Sequence, residues 1–374
     1  MSAPPATEPE DVRWLAKADF ALLFRALADR GYEIVGPTVA QGAIVYDRVT
    51  SVDDLPQGWT EVQGPGSYRL TKRDDDALFG FVVGPHSWKQ FLFPSSATVA
   101  TAERTSDGWQ MHSPTEPQPK YAFLGVRACE IAAMRVQDRV FLEGPYVDPI
   151  YAARRQQALI VAVNCTQAAP TCFCTSMNTG PRCQSGFDLA LTELDGGFTI
   201  ESGSDTGKEL LECLTAQVAS RQQLQDAVVA RQKAVDDIKR RLDTDGIRDL
   251  LLSNLEHPRW NEVSERCLSC SNCTMVCPTC FCSSVKEVTD LQGDHVERQR
   301  QWDSCFSADF SYMNGGIVRN QIRSRYRQWL THKLASWIDQ FDTSGCVGCG
   351  RCITWCPVGI DLTEEVAAIR STST

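Results

Sequence analysis

Two stretches of the chain carry the same spacing of four cysteines followed by a proline, C-x2-C-x2-C-x3-C-P. This run is typical of bacterial ferredoxins with two [4Fe-4S] clusters, in which the fourth cysteine of each run ligates the other cluster. Two such clusters make electron transfer the predicted role. The spacing predicts a first cluster on Cys267, Cys270, Cys273 and Cys356, and a second on Cys346, Cys349, Cys352 and Cys277.

Zinc and disulfides are the other common uses of closely spaced cysteines. A four-cysteine zinc site normally uses two C-x2-C pairs, so a third cysteine at the same step would have no role. Disulfides need an oxidising compartment. The first residues, MSAPPATEPEDVRW, have prolines and acids where a signal peptide has basic and then apolar residues. We therefore expect reduced thiols in a cytoplasmic protein.

The length of the apolar runs and the net charge argue against a membrane-spanning protein and against a protein that binds nucleic acid or lipid. With 374 residues the chain is long enough for two or three domains, and 43% hydrophobic with 22% charged residues is an ordinary globular composition. The longest apolar run, at 158–163, is too short to span a membrane. A net charge of −10 disfavours binding to nucleic acid or to anionic lipid.

The apolar periodicity predicts an α+β chain, in which a mixed α/β domain is joined by long helices to a ferredoxin-like helical domain with two [4Fe-4S] clusters. The predicted divisions are a disordered segment at 1–12, the α/β domain at 13–205, a helical connector at 206–258 and the two-cluster domain with a helical insert at 259–374.

Individual elements are also predicted. Residues 13–30 have the apolar stripe of a helix, and 208–255 predict one or two long helices. The segment 317–341 also has a helical pattern, and its cations at 319, 323, 325, 327 and 333 are expected to face solvent. The alternative is that they dock an acidic partner or tune the anionic clusters. Strands are expected in the runs SYRLTKR and LFGFVVG and at 121–126, 159–163 and 189–194.

Several blocks carry a resemblance to a known family. Besides the ferredoxin runs, these are GVRACEIAA, TCFCTSM and GFDLALTEL and, more specifically, GPHSWK at 84–89 and WDSC at 302–305. With them the chain resembles the iron–sulfur beta subunit of cytoplasmic NAD(P)-linked sulfhydrogenases (group 3b nickel–iron hydrogenases), and the related A subunit of anaerobic sulfite reductase.

The resemblance implies a non-catalytic electron-transfer subunit. It implies as partners a flavoprotein subunit that binds FAD and NAD(P)H, together with the small and large subunits of a nickel–iron hydrogenase. The equivalent subunit of an anaerobic sulfite or polysulfide reductase is the alternative. No G-x-G-x-x-G follows a strand and GSDTGK at 203–208 misplaces the lysine of a phosphate loop, so no flavin or nucleotide is expected on this chain.

The resemblance also implies a third cluster in the N-terminal domain. Its implied ligands are Cys129, Cys165, Cys172 and Cys174, with Cys183 or a Glu130 oxygen as possible replacements; the alternative is that several of them are buried core thiols. The block TCFCTS at 171–176 has an echo, TCFCSS, at 279–284. Cys280, Cys282 and Cys305 remain as additional thiols near the ferredoxin clusters.

Overall fold

An eight-stranded mixed sheet lies at the centre of the computed structural model, which describes residues 12–113 and 118–372. The disordered segment predicted at 1–12 lies, except for its last residue, outside these residues. The strands are β1 (Arg13–Ala16), β2 (Glu33–Ala40), β3 (Ala43–Arg48), β4 (Trp59–Gly64), β5 (Ser67–Lys72), β6 (Ser96–Thr105), β7 (Gly108–His112), β8 (Tyr121–Val126), β9 (Leu159–Val163), β10 (Leu189–Leu194), β11 (Gly197–Ser202), β12 (Gln217–Val218), β13 (Ser283–Thr289), β14 (His295–Trp302), β15 (Tyr312–Met313) and β16 (Gly316–Ile317).

The central strands of this sheet are parallel. The order is β12-β1-β11-β10-β9-β8-β2-β3, and β10, β9, β8 and β2 pair in parallel while the outer pairs are antiparallel. Every residue of β8 and β9 is buried, as expected for parallel strands covered on both faces. Because β8 and β9 are parallel neighbours, their carboxyl ends meet at the same edge of the sheet. The strands predicted at 121–126, 159–163 and 189–194 are confirmed.

Helices cover the sheet and build the C-terminal part. They are α1 (Ala21–Asp29), α2 (Lys89–Leu92), α3 (Ala128–Phe141), α4 (Pro149–Gln157), α5 (Asp205–Glu212), α6 (Arg221–Asp237), α7 (Ile247–Ser253), α8 (Arg259–Arg266), α9 (Asn272–Met275), α10 (Ile322–Thr331), α11 (Trp337–Phe341), α12 (Arg351–Thr354) and α13 (Leu362–Thr372). A π-helical turn, His332–Ser336, joins α10 to α11.

Four hydrophobic clusters form the core of the described residues, and the fourth contains Cys129, Cys172 and Cys174. Residues that alternate along β9 belong to different clusters, so one cluster lies on each face of the sheet: Val161 belongs to the first and Ile160 to the second. The third cluster is built from the C-terminal helices, and cysteines of both ferredoxin runs pack against it. The described residues are thus a mixed α and β structure, as predicted at the level of fold class.

A second sheet connects the two parts of the chain. It has the order β13-β14-β6-β7, and β14 pairs with β6 from His295↔Glu103 to Gln301↔Ser96. The insert between the cysteine runs, predicted to be helical, therefore begins with a β-hairpin. The helix predicted at 317–341 is confirmed from Ile322 onward, whereas the hairpin at 283–302, whose exposed strand faces are polar, was not predicted.

Other local predictions need correction. The helix predicted over 13–30 begins only at Ala21, because Arg13–Ala16 pair with β11 and complete the large sheet. The run LFGFVVG forms no strand and lies buried as an irregular segment. Between 208 and 255 the long helix is α6, which packs on β10. Ile238 and Leu242, which the apolar pattern includes in the helix, lie beyond its end.

Candidate metal centres

The first cysteine set surrounds an apolar cavity. Cys267, Cys270 and Cys273 line this cavity from the loop between α8 and α9 and from α9, and Cys356, which follows α12, lines it as well. The loop folds back through Ser269 and Ser271, whose φ angles are +53° and +69°. The structure thus brings together the four cysteines assigned to one cluster by their spacing.

The cavity is suited to an anionic cluster. The side chains of Tyr326 and Trp329 line it, and the Tyr326 hydroxyl and Trp329 Nε1 are buried donors without a hydrogen-bond partner among the described residues. Backbone N–H groups of Ser269 and Ile360 donate to the sulfurs of Cys267 and Cys356 at 3.4 and 3.3 Å. Such donors stabilise sulfur-borne negative charge, which fits a [4Fe-4S] cube.

Burial opposes ionisation of these thiols in the absence of metal. Burial raises the pKa of Cys273 well above its ordinary value, and the charges of Cys267, Cys356 and Cys270 raise this pKa further. Several thiolates this close need a compensating cation, and iron supplies that charge.

The second set joins Cys346, Cys349 and Cys352 to Cys277. Burial raises the pKa of Cys352, and the next contributions come from Cys346, Cys349 and Cys277, so these four thiols are electrostatic neighbours. The Gly348 N–H donates to Cys346 Sγ at 3.5 Å. The structure therefore also brings together the set assigned to the other cluster.

A buried lysine faces the second set. Lys333 is 3% exposed, and its ammonium donates to Cys277 Sγ at 3.2 Å, to Thr279 Oγ1 at 3.1 Å and to the Gly345 carbonyl at 2.8 Å. Burial alone would lower the pKa of Lys333, but the charges of Cys277 and Cys280 hold it well above its ordinary value. The prediction that the cation at 333 faces solvent was wrong.

The N-terminal cysteines line a second cavity. Cys129 lies in the first turn of α3 just after β8, Cys165 follows the end of β9, and Cys172 and Cys174 belong to the loop beyond. Because the carboxyl ends of β8 and β9 meet at one edge, they bring these thiols together. Cys349 of the second set lines the same cavity.

One feature of this cavity suits a bound anionic group, and another disfavours free thiolates in it. Arg127 lines it, and Arg127 Nε is buried without a hydrogen-bond partner among the described residues. Burial raises the pKa of Cys172 to about 12, so an unligated thiolate is disfavoured there. Four soft thiol ligands and a nearby guanidinium fit an iron–sulfur cluster.

The two residues expected as replacement ligands of the third cluster are Glu130 and Cys183. Glu130 already has hydrogen-bond partners, and Cys183 lies outside the cavity. Glu130 accepts hydrogen bonds from Tyr46, Trp88 and the Arg127 N–H, and it forms a buried ion pair with Arg351. Both of its oxygens are occupied, so its proposed role as an oxygen ligand is not supported. Cys183 does not line the cavity of the other four thiols; it lines a separate surface pocket beside α3.

The N-terminal and C-terminal sites are packed against each other. Gly348 has φ +65°, and a Cβ there would lie 2.6 Å from the backbone of Phe173, between Cys172 and Cys174. The Phe173 N–H donates to the Gly348 carbonyl at 2.9 Å. The loop of the second run therefore lies directly on the TCFC loop, which the sequence did not reveal.

All seventeen cysteines are free of disulfides, and no group of three or more His, Cys, Asp or Glu side chains in the described ranges is placed to hold a single metal ion. The thiols of the first and third sets instead surround cavities, as ligands of a polynuclear cluster must. Among the helices of the described residues, none is both long and apolar enough to cross a membrane.

Comparison with known proteins agrees with this geometry. Residues 266–360 match the family of 4Fe-4S dicluster domains. The chain is 28% identical over 355 residues to the sulfhydrogenase 2 subunit beta of Pyrococcus furiosus, an alignment that covers 94% of this chain and 96% of that protein. No solved structure matches the chain. The predicted resemblance to a sulfhydrogenase beta subunit is thus confirmed over 94% of the chain, and the 4Fe-4S dicluster match covers both ferredoxin runs.

Proposed function

We propose that the chain is the electron-transfer subunit of a hydrogenase complex and that its three cysteine sets hold a continuous row of [4Fe-4S] clusters. The observation that carries this proposal is that cysteines of the second set also line the cavities of the other two sets. Cys352 of the second set lines the cavity of the first, and Cys349 of the second set lines the cavity of the third. Electrons pass efficiently only between nearby centres, so adjoining sites are what an electron path requires.

The ligand sets proposed are those predicted from the sequence. The first cluster takes Cys267, Cys270, Cys273 and Cys356, the second takes Cys346, Cys349, Cys352 and Cys277, and the third takes Cys129, Cys165, Cys172 and Cys174. A [4Fe-4S] cluster carries one electron at a time, at a potential set by charge, burial and hydrogen bonds to sulfur.

The protein's own contribution is to exclude water and place charge. Apolar side chains such as Phe306 and Ile360 line the first cavity. Lys333 places a buried positive charge against the second set, and Arg127 places one beside the third. These cations favour the more negative, reduced state of a cluster beside them.

The proposed partners follow from the resemblance and from the relative's name. We propose a flavoprotein subunit that oxidises NAD(P)H on one side and nickel–iron hydrogenase subunits on the other, in the cytoplasm. This chain itself performs no catalysis in the proposed complex. Its role is to pass single electrons between the two partners, in either direction.

The test is to purify the native complex anaerobically and identify what accompanies the chain. A nickel-containing large subunit supports the proposal, whereas a sirohaem protein in its place would assign the chain to a sulfite reductase. Adding NAD(P)H to the chain and the purified flavoprotein should bleach the visible absorbance of the clusters. The chain without the flavoprotein is the control, and no bleaching in the mixture would contradict the proposal.

A further inference from the structure

The twelve cysteines of the three sets differ in their exposure to solvent. Cys270 of the first set is exposed, whereas the other eleven are buried or partly buried. Because Cys270 also lines the cavity of the first set, a cluster in that cavity has one ligand at the protein surface. In the third set, by contrast, Cys129, Cys172 and Cys174 are buried. Electrons therefore enter or leave the proposed row most directly at the first site.

Exposed apolar side chains border the same cavity. Leu268 is 62% exposed and Val358 is 38% exposed, and both line the cavity together with Cys270. Pro357, which precedes Val358, is exposed and lines the cavity as well. Single exposed apolar side chains are ordinary on a protein surface, but a group of them beside a cavity is typical of an interaction site.

A second exposed segment begins next to the loop that carries Cys270. The Ser269 hydroxyl donates to the Phe306 carbonyl at 3.1 Å, so this loop and residue 306 are in contact. The residues that follow include four exposed apolar side chains, Phe310, Tyr312, Met313 and Val318. The first site therefore has two chain segments with exposed apolar side chains beside it.

The two cysteine-bearing segments at this cavity carry no charged side chain. Residues 267–273, CLSCSNC, and 352–360, CITWCPVGI, contain no Asp, Glu, Lys or Arg, although the whole chain has a net charge of −10. Charged surfaces steer proteins that meet only briefly. Permanent subunit interfaces are more apolar. The uncharged, apolar surface at the first site therefore favours a subunit that stays bound over a carrier that docks and leaves.

We propose that the surface formed by Leu268, Cys270, Pro357 and Val358 is the interface at which a permanently bound redox subunit exchanges electrons with the first cluster. This inference rests on the proposed electron-transfer function and places one partner at the first site. The partner presents an uncharged, apolar surface with its own redox centre close beneath it. One electron passes at a time, so the partner's centre is oxidised by one electron when the cluster is reduced by one, and no bond is made or broken.

One test compares Leu268→Gln with Leu291→Gln in the complex, purified anaerobically. Leu291 is fully exposed in the turn between β13 and β14 and does not line the cavity, so it is a matched control. Glutamine removes apolar surface without adding charge. Leu268→Gln should weaken the association of the chain with a redox subunit by about tenfold, measured by analytical ultracentrifugation. Leu291→Gln should leave it unchanged, and both variants should keep the iron content of the wild-type chain.

A second test needs no variant complex. A soluble dysprosium complex speeds the relaxation of unpaired electrons near the protein surface, and electron paramagnetic resonance measures this effect. The signal of the first cluster is identified as the one that Cys270→Ser alters. In the isolated wild-type chain, dysprosium should affect this signal more than those of the other clusters. In the complex the difference should disappear, because the partner covers the surface.

Two results would overturn the proposal. One is equal association of the Leu268→Gln and Leu291→Gln chains with their partners. The other is a first-cluster signal that stays as accessible to dysprosium in the complex as in the isolated chain. Failure of the proposed function looks different, because then no subunit bound to the chain reduces any of its clusters. If the clusters are reduced while the first signal stays accessible, only the interface proposed at Cys270 is wrong.

Discussion

Lys333 shows how one side chain can set the electrostatics of a site. It lies in the π-helical turn between α10 and α11, and its ammonium points into the second cysteine set instead of into water. Single π-helical turns within α-helices occur frequently at functional sites. A buried cation beside thiolates stabilises additional negative charge, so it should raise the reduction potential of a cluster there.

Replacing Lys333 with Met should make the potential of the second cluster more negative. Loss of a charge-assisted hydrogen bond should shift a one-electron couple by on the order of 60 mV, a tenfold change in equilibrium constant. The measurement is a redox titration followed by electron paramagnetic resonance. Lys286→Met removes the same charge from an exposed position of β13 and is the control. Equal shifts in the two variants would show that Lys333 has no specific effect.

The buried ion pair between Arg351 and Glu130 joins the second run to α3. Their side chains are 0% and 1% exposed, and Glu130→Gln would leave Arg351 buried without its counter-charge. We expect a loss of roughly 3–5 kcal/mol in the free energy of unfolding. Chemical denaturation measures it. Glu287→Gln, in an exposed pair with Arg298, should cost at most about 1 kcal/mol. A similar small cost for Glu130→Gln would contradict this account.

At the scale of elements, the contact between the Gly348 loop and the TCFC loop is the junction of the second and third sites. Gly348→Ala combines a positive φ with a Cβ 2.6 Å from the Phe173 backbone. Gly293→Ala is a matched control, with φ +73° and nothing within 4 Å of the added Cβ. The control should cost about 1–2 kcal/mol from backbone strain alone.

Gly348→Ala should cost more than its control by about 1–3 kcal/mol, because the backbone of the neighbouring loop must move. The comparison is made by thermal unfolding and by iron content, which should fall in Gly348→Ala alone. Indistinguishable behaviour of the two variants would mean that the two loops are not tightly packed.

The elements also show what the sequence could and could not reveal. The strands at 121–126, 159–163 and 189–194 were predictable because almost continuous burial gives each of them a mostly apolar run. Residues 13–16 were assigned to a helix because their strand partner, β11, is distant in sequence. The hairpin at 283–302 was missed because one of its faces is polar and its partner β6 is also remote.

The cysteine sets were far more predictable than the contacts between them. Short-range spacing predicts eight ligands, because three cysteines separated by two steps of three residues suit one cube. By contrast, spacing carries no information on Lys333, or on the shared positions of Cys349 and Cys352, since these depend on tertiary packing.

At the scale of the whole molecule, cysteines at both ends of the insert belong to each predicted C-terminal cluster. Cys273 and Cys277 precede the insert, and Cys352 and Cys356 follow it. Removing iron should therefore loosen the C-terminal part and the loop at 165–174, because the binding free energy of a structural metal is also folding free energy.

Hydrogen exchange can check this effect of metal loss. After chelation of iron, backbone amides in α8, α9 and 346–356 should exchange faster. Those of β8 and β9 should remain protected, since the hydrophobic clusters on both faces of the sheet hold them. Unchanged exchange in the C-terminal part would contradict a structural role for the clusters.

The central claim is that three adjoining clusters occupy this one chain, and iron quantification of the anaerobically purified chain tests it most directly. The account predicts about twelve irons per chain, four for each cube, falling to about eight in Cys172→Ser and remaining at about twelve in Cys213→Ser. About eight irons in the wild-type chain, with no further loss in Cys172→Ser, would contradict the third cluster and with it the continuous path.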